Sequence, residues 1–201
     1  LSGSAFAQDP NYSDNIGLYL TPGGYLDPTA EDGTASCGQA DQNIPFPVYV
    51  TLSQMTNPEL WGWEAKITPI NLTVIGVTYN GVGVIDAGTK AGEYIVGIAE
   101  PLVASGGAMV LAELTCSILS FNGDDAAFPS YMLIDGTYFS SDGSGLPLYL
   151  NAPTGDFITL HNIFGDPYNP DADIPQLIMN GDCFVVGVEE DSWGSVKSMF
   201  R

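Results

Sequence analysis

The chain has 201 residues, 45% of them hydrophobic and 11% aromatic, which is enough for one domain to bury a core without staples. Four basic residues, Lys66, Lys90, Lys197 and Arg201, stand against 24 acidic ones, and the formal charge of -20 repels phosphate backbones and anionic lipid. Nucleic-acid partners are thereby excluded, and so is membrane insertion by a helix, because no apolar run reaches the roughly 18 residues that a span requires.

In chain order, residues 1–7 read as the residual tail of a secretory signal peptide, with Ala5 and Ala7 at the small-residue positions before a cut ahead of Gln8. The expected location is secreted, extracellular or at the cell surface. Residues 8–15 form a polar N-terminal arm, 16–188 the main domain and 189–201 an amphipathic tail. Asn11-Tyr-Ser13 and Asn71-Leu-Thr73 match the glycosylation sequon.

Period-two alternation recurs and helical periodicity is nearly absent. Strands are predicted at 16–20, 47–54, 60–68, 72–79, 93–99, 108–119, 131–138, 147–150, 156–160 and 183–188, separated by turn signals such as Asn80-Gly81, Ser105-Gly106-Gly107 and Asp142-Gly143-Ser144-Gly145. In 61–68, Trp61, Trp63, Ala65 and Ile67 alternate with Gly62, Glu64, Lys66 and Thr68, so two indoles are expected inside, with Val48 or Val50 opposite, while the other face meets water. Short strands without intervening helices predict an all-β fold, a two-sheet antiparallel sandwich or jelly roll.

Of three cysteines, Cys116 falls on the apolar face of 108–119 and is expected to be a buried free thiol. Cys37 and Cys183 are then the candidate pair, three unpaired thiols being the alternative. None lies at metal-ligand spacing to a second cysteine or a histidine.

The run Ile44-Pro-Phe-Pro-Val-Tyr-Val-Thr-Leu-Ser-Gln-Met, then Leu60-Trp-Gly-Trp-Glu-Ala-Lys-Ile-Thr-Pro and Leu72-Thr-Val-Ile-Gly-Val, resembles the cohesin-type sandwich. In that family a valine-x-valine-x-leucine strand leads to a glycine, aromatic, x, aliphatic strand and on to an x-leucine-x-valine strand. Tyr94 to Ala99 followed by Gly107-Ala-Met-Val-Leu-Ala-Glu-Leu-Thr-Cys is similar to its later pair. The resemblance covers about residues 44–120 and implies a cohesin-like β-sandwich that is secreted, non-catalytic and used for attachment or assembly. No binding residue carries over, because more than sixty residues follow Leu119 before Cys183.

The loop Gly165-Asp-Pro-Tyr-Asn-Pro-Asp-Ala-Asp-Ile174 is the candidate metal site. Asp166, Asn169, Asp171 and Asp173 supply four oxygen-bearing side chains within eight residues, the donor type that calcium takes, although the spacing is not that of an EF-hand. The alternative is a proline-braced acidic surface loop; Asn122-Gly123-Asp124-Asp125 is a lesser version of the same pattern.

No catalytic residue is assigned. His161, the single histidine, has no sequence-level partner and reads as a solvated or core-edge residue. A pair of carboxylates would suit a glycosidase, but pairing is spatial and no pair can be named. Tyr25, Trp61, Trp63, Tyr131 and Tyr149 would offer stacking surfaces for sugar if exposed.

In the tail, Trp193, Val196 and Phe200 recur at three- and four-residue spacing behind a Ser192 cap and ahead of Lys197 and Arg201, the pattern of a short helix that must dock to be stable. The resulting expectation is a secreted, non-catalytic structural or assembly subunit, of the kind that builds an extracellular filament or surface layer, self-associating through its arm and a sheet edge. The alternatives are an extracellular module binding protein or polysaccharide and, third, a glycosidase-like enzyme.

Overall fold

The computed structural model describes residues 13–26, 36–119, 130–163 and 174–181. The described residues form β1 (Asn15–Tyr19), β2 (Cys37–Gly38), β3 (Phe46–Ser53), β4 (Glu59–Ile70), β5 (Leu72–Tyr79), β6 (Ile85–Asp86), β7 (Glu93–Val103), β8 (Met109–Ile118), β9 (Ser130–Asp135), β10 (Leu148–Asn151), β11 (Phe157–Thr159), β12 (His161–Asn162) and β13 (Leu177–Met179). A 3-10 turn follows β1 at Gly24–Leu26.

One sheet has the order β12-β1-β3-β8-β5. The other runs β11-β10-β4-β9-β13-β2, and β7 also pairs with β4, carrying β6 beyond it. Glu64 is in register with both Leu148 of β10 and Ile95 of β7, so those strands flank β4 on opposite sides. Farther along the β10 side, β9 takes over the pairing from Lys66 to Ile70. Neighbours are antiparallel except β1 with β12 and β13 with β2, which are parallel.

The two sheets enclose one continuous core, as the alternation predicts. Ile16 and Leu18 of β1, Val48, Val50 and Leu52 of β3, and Leu111, Leu114 and Cys116 of β8 meet Leu60, Trp63, Ala65 and Ile67 of β4 and Met132 and Ile134 of β9. The fold is therefore the expected all-β two-sheet sandwich. A smaller cluster of Tyr19 and Ile163, with Tyr25 and Ile174 against it, buries the other side of β1.

Trp61 departs from the expectation. It is 37% exposed while Trp63 is 3% exposed, because the ladder to β10 skips it, Leu150 pairing with Gly62 and Asn151 with Leu60. One extra residue in the strand turns Leu60 and Trp63 inward together and leaves Trp61 outside. Glu64 also departs, since it is 2% exposed where water was expected. A loop following β9 lies over it, drawing Thr137 away from the sheet and ending β9 at Asp135, three residues before the predicted end.

Cys37 is disulfide-bonded and Cys116 is free and buried. Cys183, the predicted strand 183–188 and the predicted tail helix lie outside the described residues. Burial pushes the Cys116 thiol up to about 12, so hardly any reactive thiolate forms near neutral pH. The native protein should leave a thiol reagent unreacted at pH 8 and release one equivalent on unfolding without reductant. Three equivalents would contradict the disulfide.

Candidate functional site: an apolar groove on one sheet

The ladder between β4 and β7 sets Gly62 opposite Gly97. A Cβ on Gly62 would lie 2.4 Å from the Val96 carbonyl oxygen, so a larger residue there must displace backbone. At Gly97 a Cβ would meet nothing within 4 Å, so the missing side chain leaves open space on the outer face of the sheet. Around this floor stand Trp61, Ile85, Ile95, Leu148, Leu150 and Phe157, enclosing a groove of about 380 Å³. Pockets that take small molecules span about 300–1,000 Å³.

Two of these residues are far more exposed than their chemistry favours, Ile85 at 70% and Phe157 at 45%. Contiguous exposed apolar surface on a sheet marks a contact for something else. The walls are fixed in place. Trp61 Nε1 donates to the Ala152 carbonyl at 2.9 Å, which holds the indole across the groove. On the β6 side, Asp86 Oδ1 accepts from Gly88 N at 2.8 Å and Ile95 N at 3.1 Å, and its Oδ2 accepts from Tyr79 Oη.

Behind that wall Trp63 stacks on Tyr94 with centroids 5.8 Å apart, and both rings contact Tyr79. Burial raises the pKa of both tyrosines, that of Tyr94 to about 12; at Tyr79 the Asp86 hydrogen bond adds to the shift. The hydroxyls therefore stay protonated across the ordinary pH range.

The third wall is the loop after β9. Glu64 Oε1 accepts from Ser141 N at 2.8 Å and Thr137 Oγ1 at 3.3 Å, and Oε2 accepts from Ser141 Oγ at 2.6 Å. Glu93 Oε1 takes Tyr138 N at 2.9 Å. These two carboxylates, buried on the outer face, clamp the loop to the sheet. The clamp presents Tyr138 and Phe139 outward, ring against ring at 88°, with Lys90 Nζ 3.4 Å from the Tyr138 centroid. At the tip, hydrogen bonds from Ser140 and Ser144 hold the Asp142 carboxyl below the usual carboxylate range.

Asp166, Asn169, Asp171 and Asp173 lie outside the described residues, as do Asn11 and 122–125. His161 is half-buried in β12, its backbone N–H donating to the Asp14 carbonyl at 3.0 Å, which is the core-edge position expected of it. Of the five aromatics named for stacking, Trp63 and Tyr149 are buried, Tyr25 and Tyr131 are half-buried, and Trp61 is the exposed one; Trp61 and Trp63 both line the groove. Sequence reasoning missed Ile85, Phe157, Tyr138 and Phe139. The available signal was the pair of glycines inside two predicted strands, since a lone glycine there often marks a bulge or an open surface.

No protein-family model matches the sequence, and no curated protein matches it. Among solved structures the chain is similar to the sixth cohesin of scaffoldin B from Acetivibrio cellulolyticus, determined in complex with a Cel5 dockerin. The TM-score is 0.52 at 11% identity, covering 85% of this chain and all (100%) of that one. A cohesin module from a family 33 glycoside hydrolase of Clostridium perfringens aligns with a TM-score of 0.46 at 9% identity, over 74% of this chain and 90% of that one. The protein has a cohesin-like fold.

Proposed function

We propose that this chain is a secreted, non-catalytic assembly subunit that docks a protein partner in the groove over Gly97. The observation that carries the reading is an open apolar groove with rigid walls on the outer face of a sheet. The cohesin-like fold supports it, since the Acetivibrio cellulolyticus cohesin was determined with a dockerin bound. A polysaccharide fits the groove less well. Sugar needs hydrogen-bonding side chains beside a stacking ring, and here Glu64 and Ser141 are bonded to each other while the Trp61 N–H is taken by Ala152.

Residues 1–7 remain the leader remnant, 16–188 the working domain and 189–201 the tail, and Asp166, Asn169, Asp171 and Asp173 hold calcium in this reading. A second route to association is favoured by β5, the last strand of its sheet, whose outer edge pairs with no other strand among the described residues. Of the expected arm, 8–15, Asp14 and Asn15 are buried against this chain's own strands, and the residues before them would add there as a short strand in a neighbouring copy.

Light scattering of the full-length protein tests both routes. Association should strengthen with salt or calcium, because like-charged subunits of formal charge -20 repel. Gly97→Leu should fill the groove, keep the melting temperature and abolish association through it; deletion of residues 8–12, which spares Asp14 and Asn15, should affect only the β5 route. A wild-type chain monomeric in every condition would defeat the assembly reading.

A further inference from the structure

We infer that the occupant of the groove is residues 192–201 of a second copy of this chain. The inference rests on the groove being a protein-docking site and supplies its ligand. Ser192-Trp-Gly-Ser-Val-Lys-Ser-Met-Phe-Arg201 carries Trp193, Val196 and Phe200 at the spacing of one helical face, and a segment this short does not hold such a face ordered in water alone. The groove offers the complementary surface, an apolar trough whose walls are already fixed.

Charge selects the same pair. The segment holds two of the chain's four basic residues and no acidic one, in a molecule of formal charge -20. No basic residue lines the groove, and exposed Asp86, Asp142 and Asp156 adjoin its lining residues Ile85, Ser141 and Phe157 in sequence. Lys197 and Arg201 would meet carboxylates there instead of like charge.

Sheet order argues for a second copy. The described chain ends at Gly181, just past β13, which pairs with β9 where β9 faces the Pro69–Ile70 end of β4 and runs parallel to β4, away from Trp61. The groove occupies β6, β7, β4, β10 and β11. A chain whose last described strand heads past the Ile70 end of β4 and a groove at the Trp61–Glu64 end fit a heterologous, head-to-tail contact.

The test uses two full-length variants. Gly97→Leu closes the groove and leaves the segment intact; Trp193→Ser with Phe200→Ser disables the segment and leaves the groove open. Ile85→Asp, at an exposed position, serves as a second groove variant should Gly97→Leu perturb folding.

By light scattering the wild type should form oligomers. Each variant alone should be monomeric, and an equimolar mixture should double in mass to a 1:1 pair and grow no further. A fluorescent peptide of residues 192–201 should bind the segment-disabled variant and lose at least about tenfold in affinity for Gly97→Leu, a difference of about 1.4 kcal/mol.

A mixture that stays monomeric overturns the inference. Oligomers that survive the loss of Trp193 and Phe200 but not Gly97→Leu leave the docking groove standing and give it another occupant. Peptide binding with a wild type that is monomeric at every concentration places the segment on its own groove and overturns the second copy.

Discussion

Trp63→Ala is expected to destabilise the protein by about 3–5 kcal/mol, whereas Trp61→Ala, two residues away, should cost about 1 kcal/mol. Trp63 fills the core between the sheets and is stacked at 25° on Tyr94, so truncation leaves a cavity that the surrounding strands cannot close. Trp61 loses one hydrogen bond to Ala152 and part of a groove wall that already faces solvent. Urea denaturation of the two variants measures the difference directly. Equal losses would mean that the bulge at Leu60 to Gly62 does not separate the two indoles as described.

Asp14→Ala should be of similar size, about 3–5 kcal/mol, although Asp14 precedes the first strand. Its carboxylate is buried and accepts from Thr56 N at 2.9 Å, Thr56 Oγ1 at 2.7 Å and Tyr149 Oη at 3.0 Å. Hydrogen bonds to a charged group contribute roughly 1.5–3 kcal/mol each, and removing the acceptor takes a charged partner from the buried Tyr149 hydroxyl. Alanine is also disfavoured at the backbone angle of Asp14, φ 62°, which Asp and Asn tolerate. Asp14→Asn should therefore retain part of the stability that alanine loses. If the two variants unfold at the same urea concentration, the carboxylate is not what joins β1 to the loop after β3 and to β10.

The sequence made the sandwich legible where alternation is undisturbed. β5 runs from Leu72 to Tyr79 as predicted, and β3 and β8 fall within a residue of their expected bounds. Alternation fails where a bulge changes the phase, as at Trp61, because the pattern of side chains carries no count of the residues that a ladder skips. It also fails for β2, β6 and β12, which have two residues each and no period to read.

Glu64 reads as solvent-facing because its strand alternates correctly from Gly62 onward, and nothing local says that a loop some 77 positions later will cover it. The groove was invisible for the same reason. Its lining comes from β4, β6, β7, β10 and β11, which contribute between one and four residues each, and none of those sets looks unusual alone. Trp61 was visible as an aromatic on a strand, but its face depended on the bulge.

The two parallel pairings have a kinetic consequence. β1, near residue 15, is hydrogen-bonded to β12 at His161, and β2 at Cys37 is hydrogen-bonded to β13 at Ile178. Neither ladder can form until almost the whole chain is available, and contacts spanning that much sequence pay their loop-closure entropy before any pairing compensates for it. The antiparallel pairing of β4 with β7, and the direct passage from β4 to β5 through Asn71 that carries the chain from one sheet to the other, have no such delay. The molecule should therefore begin folding from its middle and stitch its two ends together last, on the slower timescale of β-rich domains, so that a chain halted short of residue 161 lacks both seams and one halted short of residue 178 lacks the second.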